Sequence, residues 1–299
     1  MIIRRILPLL VAIACLLPAA GAAQEGTPEK PVRIGFNGGD SPGIIRLKGS
    51  AFAAFLEERS GLSCEPVVTE SLSQLIRALA ESRVDFAFLS PLGFITAEQV
   101  ADVRVLLKSV RGGQPNYWSV ILVRRDSGID ALDDLKGRRF AFTHLASTSG
   151  YVVPMSSLLD EGITPEEYFS EVLYAGGHSA VIRMILDGTV DAGATFADDP
   201  EGKVGAWTAA EFLDPAEGRK LKPIFFSDPI PGDTFNARRE LVEAQPRLVE
   251  HVVATLTEMG ESRAGRTILR DLYNIDSLAV AESADYDPVR RAFELVRSR

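Results

Sequence analysis

Apolar and polar positions in this chain switch repeatedly between a period of two and a period of three to four. Residues 32–36 read as a short strand running into Asn37-Gly38-Gly39-Asp40. Phe52, Phe55 and Leu56 recur at helical spacing within 51–59, with Gly61 placed as a C-cap. A strand over 64–68 precedes a helix over 71–81, whose Leu72, Leu75, Ile76 and Leu79 share one face. Residues 84–89 are nearly continuously apolar, the pattern of a strand covered on both faces of its sheet. The rhythm continues with helices over 94–100, 130–135, 150–160 and 179–186, and strands over 103–107, 118–123, 140–142, 172–174 and 190–194. Pro154 must sit in the first turn of its helix or kink it. After Pro223-Ile224-Phe225-Phe226 the remainder reads as helix, over 239–260, 265–272 and 289–296. This alternation predicts an α/β fold with mostly parallel sheets and no internal repeat.

Composition narrows the class. Arg4-Arg5, the apolar run 6–17 and Ala20-Gly21-Ala22-Ala23 read as a secretory signal peptide over 1–23, so the mature protein is expected in the periplasm. Cys15 after Ala12-Ile13-Ala14 offers a lipoprotein alternative, but Leu16-Leu17 carry the apolar run past it. Residues 24–30 are expected to be a flexible polar leader. Without the signal Cys64 is the sole cysteine, so the fold must rely on its core rather than on a disulfide. The remaining length exceeds one ordinary domain and predicts two lobes. A formal net charge of -9 argues against nucleic acid and acidic lipid as partners. It leaves room for a small anion, because a local ring of N–H dipoles overrides a distant net charge.

Four predicted strand-to-helix junctions carry small or hydroxylated residues: Asn37-Gly38-Gly39-Asp40-Ser41, Ser90-Pro91, Ser147-Thr148-Ser149-Gly150 and Gly176-Gly177-His178-Ser179. In an open α/β sheet, ligands bind beyond the carboxyl ends of strands, where helix N-termini collect. Each junction alone is ordinary capping chemistry, with Ser147 or Ser149 satisfying an orphan N–H. Together they favour an anion held between two lobes. His178, one of three histidines with His144 and His251, is placed to donate to an oxyanion or simply to cap its helix. Asp198-Asp199 and Asp233 fall near strand ends, where a solvated face is the plain reading. No two histidines stand at metal-ligand spacing, Cys64 has no partner, and no cofactor motif or nucleophile elbow is present.

The ordered series Tyr117-Trp118-Ser119-Val120-Ile121, Arg125-Asp126-Ser127-Gly128-Ile129, Leu132-Asp133-Asp134-Leu135-Lys136-Gly137, Ser147-Thr148-Ser149-Gly150-Tyr151, Gly177-His178-Ser179-Ala180, Gly188-Thr189-Val190-Asp191-Ala192-Gly193 and Asp285-Tyr286 resembles the phosphate/phosphite/phosphonate periplasmic substrate-binding proteins of ABC importers. The resemblance spans nearly all of the chain after the signal. It implies a type II periplasmic binding protein fold: two doubly wound α/β lobes joined by two hinge strands, with lobe 1 over 31–118 and 228–299 and lobe 2 over 119–227. It also implies a monomer without cofactor or catalysis, delivering a phosphonate, phosphite or phosphate to an inner-membrane ABC permease. In that family's pattern Ser147, Thr148 and Ser149 grip the anion, His178 contacts it, and Asp198 and Asp233 hold a ligand ammonium. Two departures stand out. Phe94 replaces a tyrosine whose hydroxyl helps bind the anion, leaving Ser90 as a possible donor. The first loop, from Asn37 to Pro42 with Arg46 and Lys48 behind it, is altered as well. The rival readings keep the fold for another small anion, serving a sensor kinase or a different importer, or make it a secreted enzyme.

Overall fold

A computed structural model describes residues 25–39, 41–200 and 214–299. The signal and lipoprotein readings of residues 1–23 lie outside them. The elements begin with β1 (Val32–Asn37), α1 (Pro42–Ser60), β2 (Cys64–Thr69), α2 (Leu72–Ala80), β3 (Phe86–Leu89), α3 (Pro91–Val100), β4 (Val103–Val110) and β5 (Asn116–Arg124). A 3₁₀ turn (Leu132–Leu135) leads to β6 (Arg139–Phe142), a π-helical turn (Thr148–Val152), α4 (Val153–Asp160), α5 (Pro165–Tyr168), β7 (Glu171–Tyr174), α6 (His178–Leu186) and β8 (Ala192–Ala197). The chain ends with α7 (Pro215–Gly218), β9 (Leu221–Phe226), β10 (Ile230–Pro231), β11 (Thr234–Arg238), α8 (Arg239–Ala244), α9 (Pro246–Met259), α10 (Arg263–Tyr273), β12 (Ser277–Val280) and α11 (Asp287–Arg297).

Two six-stranded sheets result, one per lobe: β12-β4-β11-β3-β1-β2, and β10-β5-β8-β6-β7 with β9 also paired to β5. The chain passes between them twice, from β4 to β5 and from β10 to β11. The passing segments are bonded to each other. Ser109 N–H donates to the Asp233 carbonyl at 2.8 Å and Gly232 N–H to the Pro115 carbonyl at 2.9 Å. The buried Tyr286 hydroxyl donates to the Gly232 carbonyl at 2.8 Å. Only glycine permits this approach at 232, because a Cβ there would overlap the Ser109 carbonyl oxygen.

The crossing explains a departure from the expected mostly parallel sheets. Among the described residues only β2-β1-β3 and β7-β6-β8 are parallel. β11 starts at the crossing, where β3 and β4 end, so it runs antiparallel to both. β5 is likewise antiparallel to β8, β9 and β10. The pattern predicts no strand at β11 or β12, which lie outside the expected helices of the remainder. In β11 the alternation Thr234-Phe235-Asn236-Ala237-Arg238 spans only five residues, and its polar positions are buried along with its apolar ones, unlike the half-solvated strand that such alternation announces. Thr234 Oγ1 donates to the Leu89 carbonyl at 3.1 Å and Asn236 Nδ2 to that of Ala87 at 3.2 Å. Residues 25–30, expected as a flexible leader, instead form a tight turn, with Gly26 N–H on the Lys30 carbonyl at 2.8 Å and Lys30 paired to Glu25 at 2.9 Å.

The lobes also share a plan that reading along the chain did not show. Asp85, fully buried just before β3, accepts from the backbone N–H, Nε and Nη2 of Arg33 at 2.8–2.9 Å. Asp191, just before β8, accepts from the same three groups of Arg139 at 2.9–3.1 Å. Each pair is 52 residues apart, and each ties the start of a central strand to the strand beside it. Both lobes are therefore built on one strand–helix–strand–helix–strand unit. The aromatic core of lobe 1 centres on Phe36, Phe52, Phe88 and Phe235, with ring centres 4.9–5.9 Å apart. Leu92 of lobe 1, Val152 of lobe 2 and Ala292 of α11 share a buried cluster, so the last helix packs on both lobes. Burial, with Glu57 adding to it, pushes the Cys64 thiol up to about 12, which keeps it protonated.

Burial alone would raise the Asp85 carboxyl, but hydrogen bonds from Arg33 and from Arg238 (2.8 Å) outweigh it and hold the group below the ordinary carboxylate range. Its stabilisation is thus complete above the unfolded-state value of about 3.9 and is lost as pH falls through the lower folded value. Asp85→Ala strands two guanidinium groups and is expected to cost about 3–5 kcal/mol in urea unfolding at pH 7. A loss below about 1 kcal/mol, the range of an exposed pair, would show that this bracket does not hold the lobe together.

Candidate functional site

The parallel strands of both lobes end at one cleft of about 1270 Å³, which gathers residues from all four junctions singled out in the sequence. In lobe 1, Asn37 ends β1 and its Oδ1 accepts from Gly39 N–H at 3.3 Å. Ser90 caps α3, accepting from Gly93 N–H at 3.2 Å, and Pro91 occupies the first turn, where no N–H is needed.

Lobe 2 places Ser147 as the cap of the π-helical turn, its Oγ accepting from Gly150 N–H at 3.0 Å. The π geometry follows from Pro154. Proline has no N–H to give the Gly150 carbonyl, and that carbonyl instead accepts from Thr143 N–H at 3.0 Å. The ladder moves to wider bonds, with Val152 N–H on the Ser147 carbonyl at 3.0 Å and Val153 N–H on that of Thr148. Gly150 must be glycine, since a Cβ would run into the Thr143 side chain. As the first amides of this helix, those of Thr148 and Ser149 have no intrahelical acceptor. Leu92 N–H, in the first turn of α3, donates across the cleft floor to Thr148 Oγ1 at 3.1 Å. Two helix N-termini, one from each lobe, therefore face each other over buried hydroxyls. The Tyr117 ring lies beside them, close to the Thr148 and Ser149 hydroxyls, and burial raises its phenol so that it remains a hydrogen-bond donor.

His178 opens α6 with Nδ1 2.8 Å from Thr195 Oγ1 and its ring edge-on to Phe196 at 5.0 Å. Asp233 lines the cleft, but its Oδ2 accepts from Arg111 Nη2 at 2.7 Å. Asp198 Oδ1 is 3.9 Å from Arg111 Nε and the residue lies outside the cleft lining. Burial raises the Asp198 carboxyl, Arg111 pulls it back, and Asp233 and Asp276 raise it again. The expectation of two carboxylates open to a ligand cation thus meets a resident guanidinium. Phe94 is corrected more simply: it is fully buried beneath the cleft, 5.1 Å from the Tyr286 ring, and takes no part in the lining.

Sequence reading missed Arg111 and Tyr273 altogether, and it used Tyr117 only as part of a motif. Arg111 had a signal of its own, a charge at the end of an apolar strand immediately before Gly112-Gly113. The facing helix starts, neutral hydroxyls and desolvated phenol suit a small oxyanion, which they can hold by dipoles without a counter-charge.

A profile of the family described as "ABC transporter, phosphonate, periplasmic substrate-binding protein" matches residues 34–286. The "Phosphate-import protein PhnD" of Mycolicibacterium smegmatis is 27% identical over 228 residues, covering 73% of this chain and 68% of that protein. The "Phosphonates-binding periplasmic protein" of Escherichia coli is 26% identical over 236 residues, covering 77% and 67%. Among solved structures, PhnD1 from Prochlorococcus marinus in complex with methylphosphonate superposes with a TM-score of 0.72 at 16% identity, covering 90% of this chain and 98% of that one.

Burial, with the charge of His144 adding to it, holds the His178 imidazole at about 4. NMR titration of its ring protons should give a midpoint near that value. Between about 6.5 and the folded value the unfolded chain binds the proton first, so stability falls as pH drops through that window. A midpoint above about 6, where a solvated imidazole titrates, would show that the ring is not buried in solution.

Proposed function

The chain belongs to the periplasmic substrate-binding proteins of phosphonate ABC transporters, and from that premise we propose that it captures a small phosphorus oxyanion between its lobes and hands it to an inner-membrane permease. The observation that carries this is the pair of facing helix starts. The Leu92 amide and Ser90 come from lobe 1, and Ser147, Thr148 and Ser149 from lobe 2, with the Tyr117 hydroxyl alongside. An oxyanion needs several short donors and no covalent partner. The Thr148 and Ser149 amides, without an intrahelical acceptor, and the hydroxyls gathered at the two helix N-termini meet that need, each helix adding the partial positive charge of its dipole.

In this reading Ser147 keeps its cap bond through an oxygen lone pair and gives its proton to the anion. Neutral His178 donates from the ring nitrogen that does not face Thr195. The anion touches both lobes, so it binds the closed arrangement better than an open one and shifts the population toward closure about the crossing segments. Catalysis has little support: His178 faces the Thr195 hydroxyl rather than a carboxylate, and Ser147 is engaged as a cap. Export through a cleaved signal over 1–23 and action as a monomer complete the proposal.

Calorimetric titration of the protein without its signal tests it, using methylphosphonate, phosphite, phosphate and sulfate. One-to-one binding of a phosphorus oxyanion is expected, weakened by about 1–3 kcal/mol in Ser149→Ala and in Ser147→Ala, the usual consequence of a missing buried hydrogen bond. Absence of heat across the panel, or full affinity in both variants, would place the anion elsewhere.

A further inference from the structure

Arg111 and Asp233 sit on the two crossing segments, one directly after β4 and the other directly before β11. Arg111 Nη2 donates to Asp233 Oδ2 at 2.7 Å and to the Tyr273 carbonyl at 3.4 Å, while Nη1 donates to Ser109 Oγ at 3.3 Å. Nε lies 3.9 Å from Asp198 Oδ1. The guanidinium is thus wedged between two carboxylates, and its Cζ is 5.9 Å from the Tyr117 ring centre. Tyr117 stands next to the Thr148 and Ser149 hydroxyls, so Arg111 is one aromatic ring away from the facing helix starts. Beyond the Tyr117 ring the cleft lining continues with Arg111, Asp233 and Tyr273, so a substituent on that side of an oxyanion held by the helix starts meets them.

We infer that Arg111 sets the ligand class: its guanidinium occupies the cation position between Asp233 and Asp198, so the cleft takes phosphorus oxyanions with a small neutral substituent and rejects those with an ammonium arm. The inference rests on the oxyanion reading above. An incoming ammonium would have to displace the guanidinium from Asp233 or lie beside a like charge whose side chain is only 15% exposed. An anionic arm fares no better. Arg111 already points its donors at protein acceptors, and the neighbouring carboxylates would repel a second negative charge. An uncharged hydrogen, hydroxyl or methyl meets neither penalty.

The test compares methylphosphonate with 2-aminoethylphosphonate by calorimetry. Wild type should prefer methylphosphonate by at least about tenfold, and Arg111→Met, which frees both carboxylates, should shift that ratio toward the ammonium ligand by about tenfold or more. Arg111→Lys retains a cation at that place and guards against misfolding of the first variant. It should leave the ratio within about threefold of wild type, inside the spread of context effects. Equal or tighter binding of 2-aminoethylphosphonate by wild type, or its selective loss in Asp233→Asn, would show that the carboxylates read an ammonium and would overturn the inference while the oxyanion reading stands. If wild type binds neither ligand, nor phosphate or phosphite, both readings fall together.

Discussion

Everything in the cleft depends on two chain segments passing side by side without a side chain between them. At Gly232 the second segment lies against the Ser109 carbonyl of the first, and hydrogen bonds from Ser109 and Gly232 close the contact. This sets the direction of β11 and hence the mixed character of the lobe 1 sheet. It also brings Arg111 within hydrogen-bond distance of Asp233, across a sequence separation of 122 residues. Tyr286 secures the same point from the start of α11, the helix that packs on both lobes.

The chemistry at the cleft floor arises from helix starts rather than from cations. An α/β unit directs its helix N-termini to the carboxyl ends of its parallel strands, and two such units facing each other double the effect. Pro154 sharpens it in lobe 2. By withholding one N–H it opens the helix into a π turn and frees the Gly150 carbonyl for Thr143, which fixes the turn to the end of β6. Departures of this kind from regular helix concentrate at functional sites because they re-aim backbone groups at a modest cost in stability. Here the re-aimed groups are the amides and hydroxyls of Thr148 and Ser149.

The two lobes share a frame and differ at its ends. The Arg33–Asp85 and Arg139–Asp191 brackets hold equivalent strands in both. Where β3 ends, Ser90 and Pro91 start a helix; where β8 ends, Asp198 turns back toward Arg111 instead. The end of β3 therefore contributes a helix dipole, and the end of β8 contributes a carboxylate to the charge cluster at the crossing.

Local chemistry was legible in the sequence wherever a residue acts within three or four positions of itself. Ser90 and Ser147 as caps, Gly61 as a C-cap and the apolar strand at β3 all depend on near neighbours, and each stands where its pattern pointed. The alternation of strand and helix, a sum of such signals, was enough for the α/β class and for bringing four junctions to one cleft. Long-range contacts decided the rest. β11 is a strand because it pairs with β3 and β4, where Thr234 and Asn236 reach the carbonyls of Leu89 and Ala87, partners that nothing within Thr234-Phe235-Asn236-Ala237-Arg238 itself reveals. Phe94 lies in the core, and not in the cleft, because Tyr286 from far along the chain covers it. Asp198 and Asp233 look like open carboxylates in sequence, but only the fold supplies the guanidinium between them, since an ion pair depends on distance in space and the chain pattern records distance along the backbone.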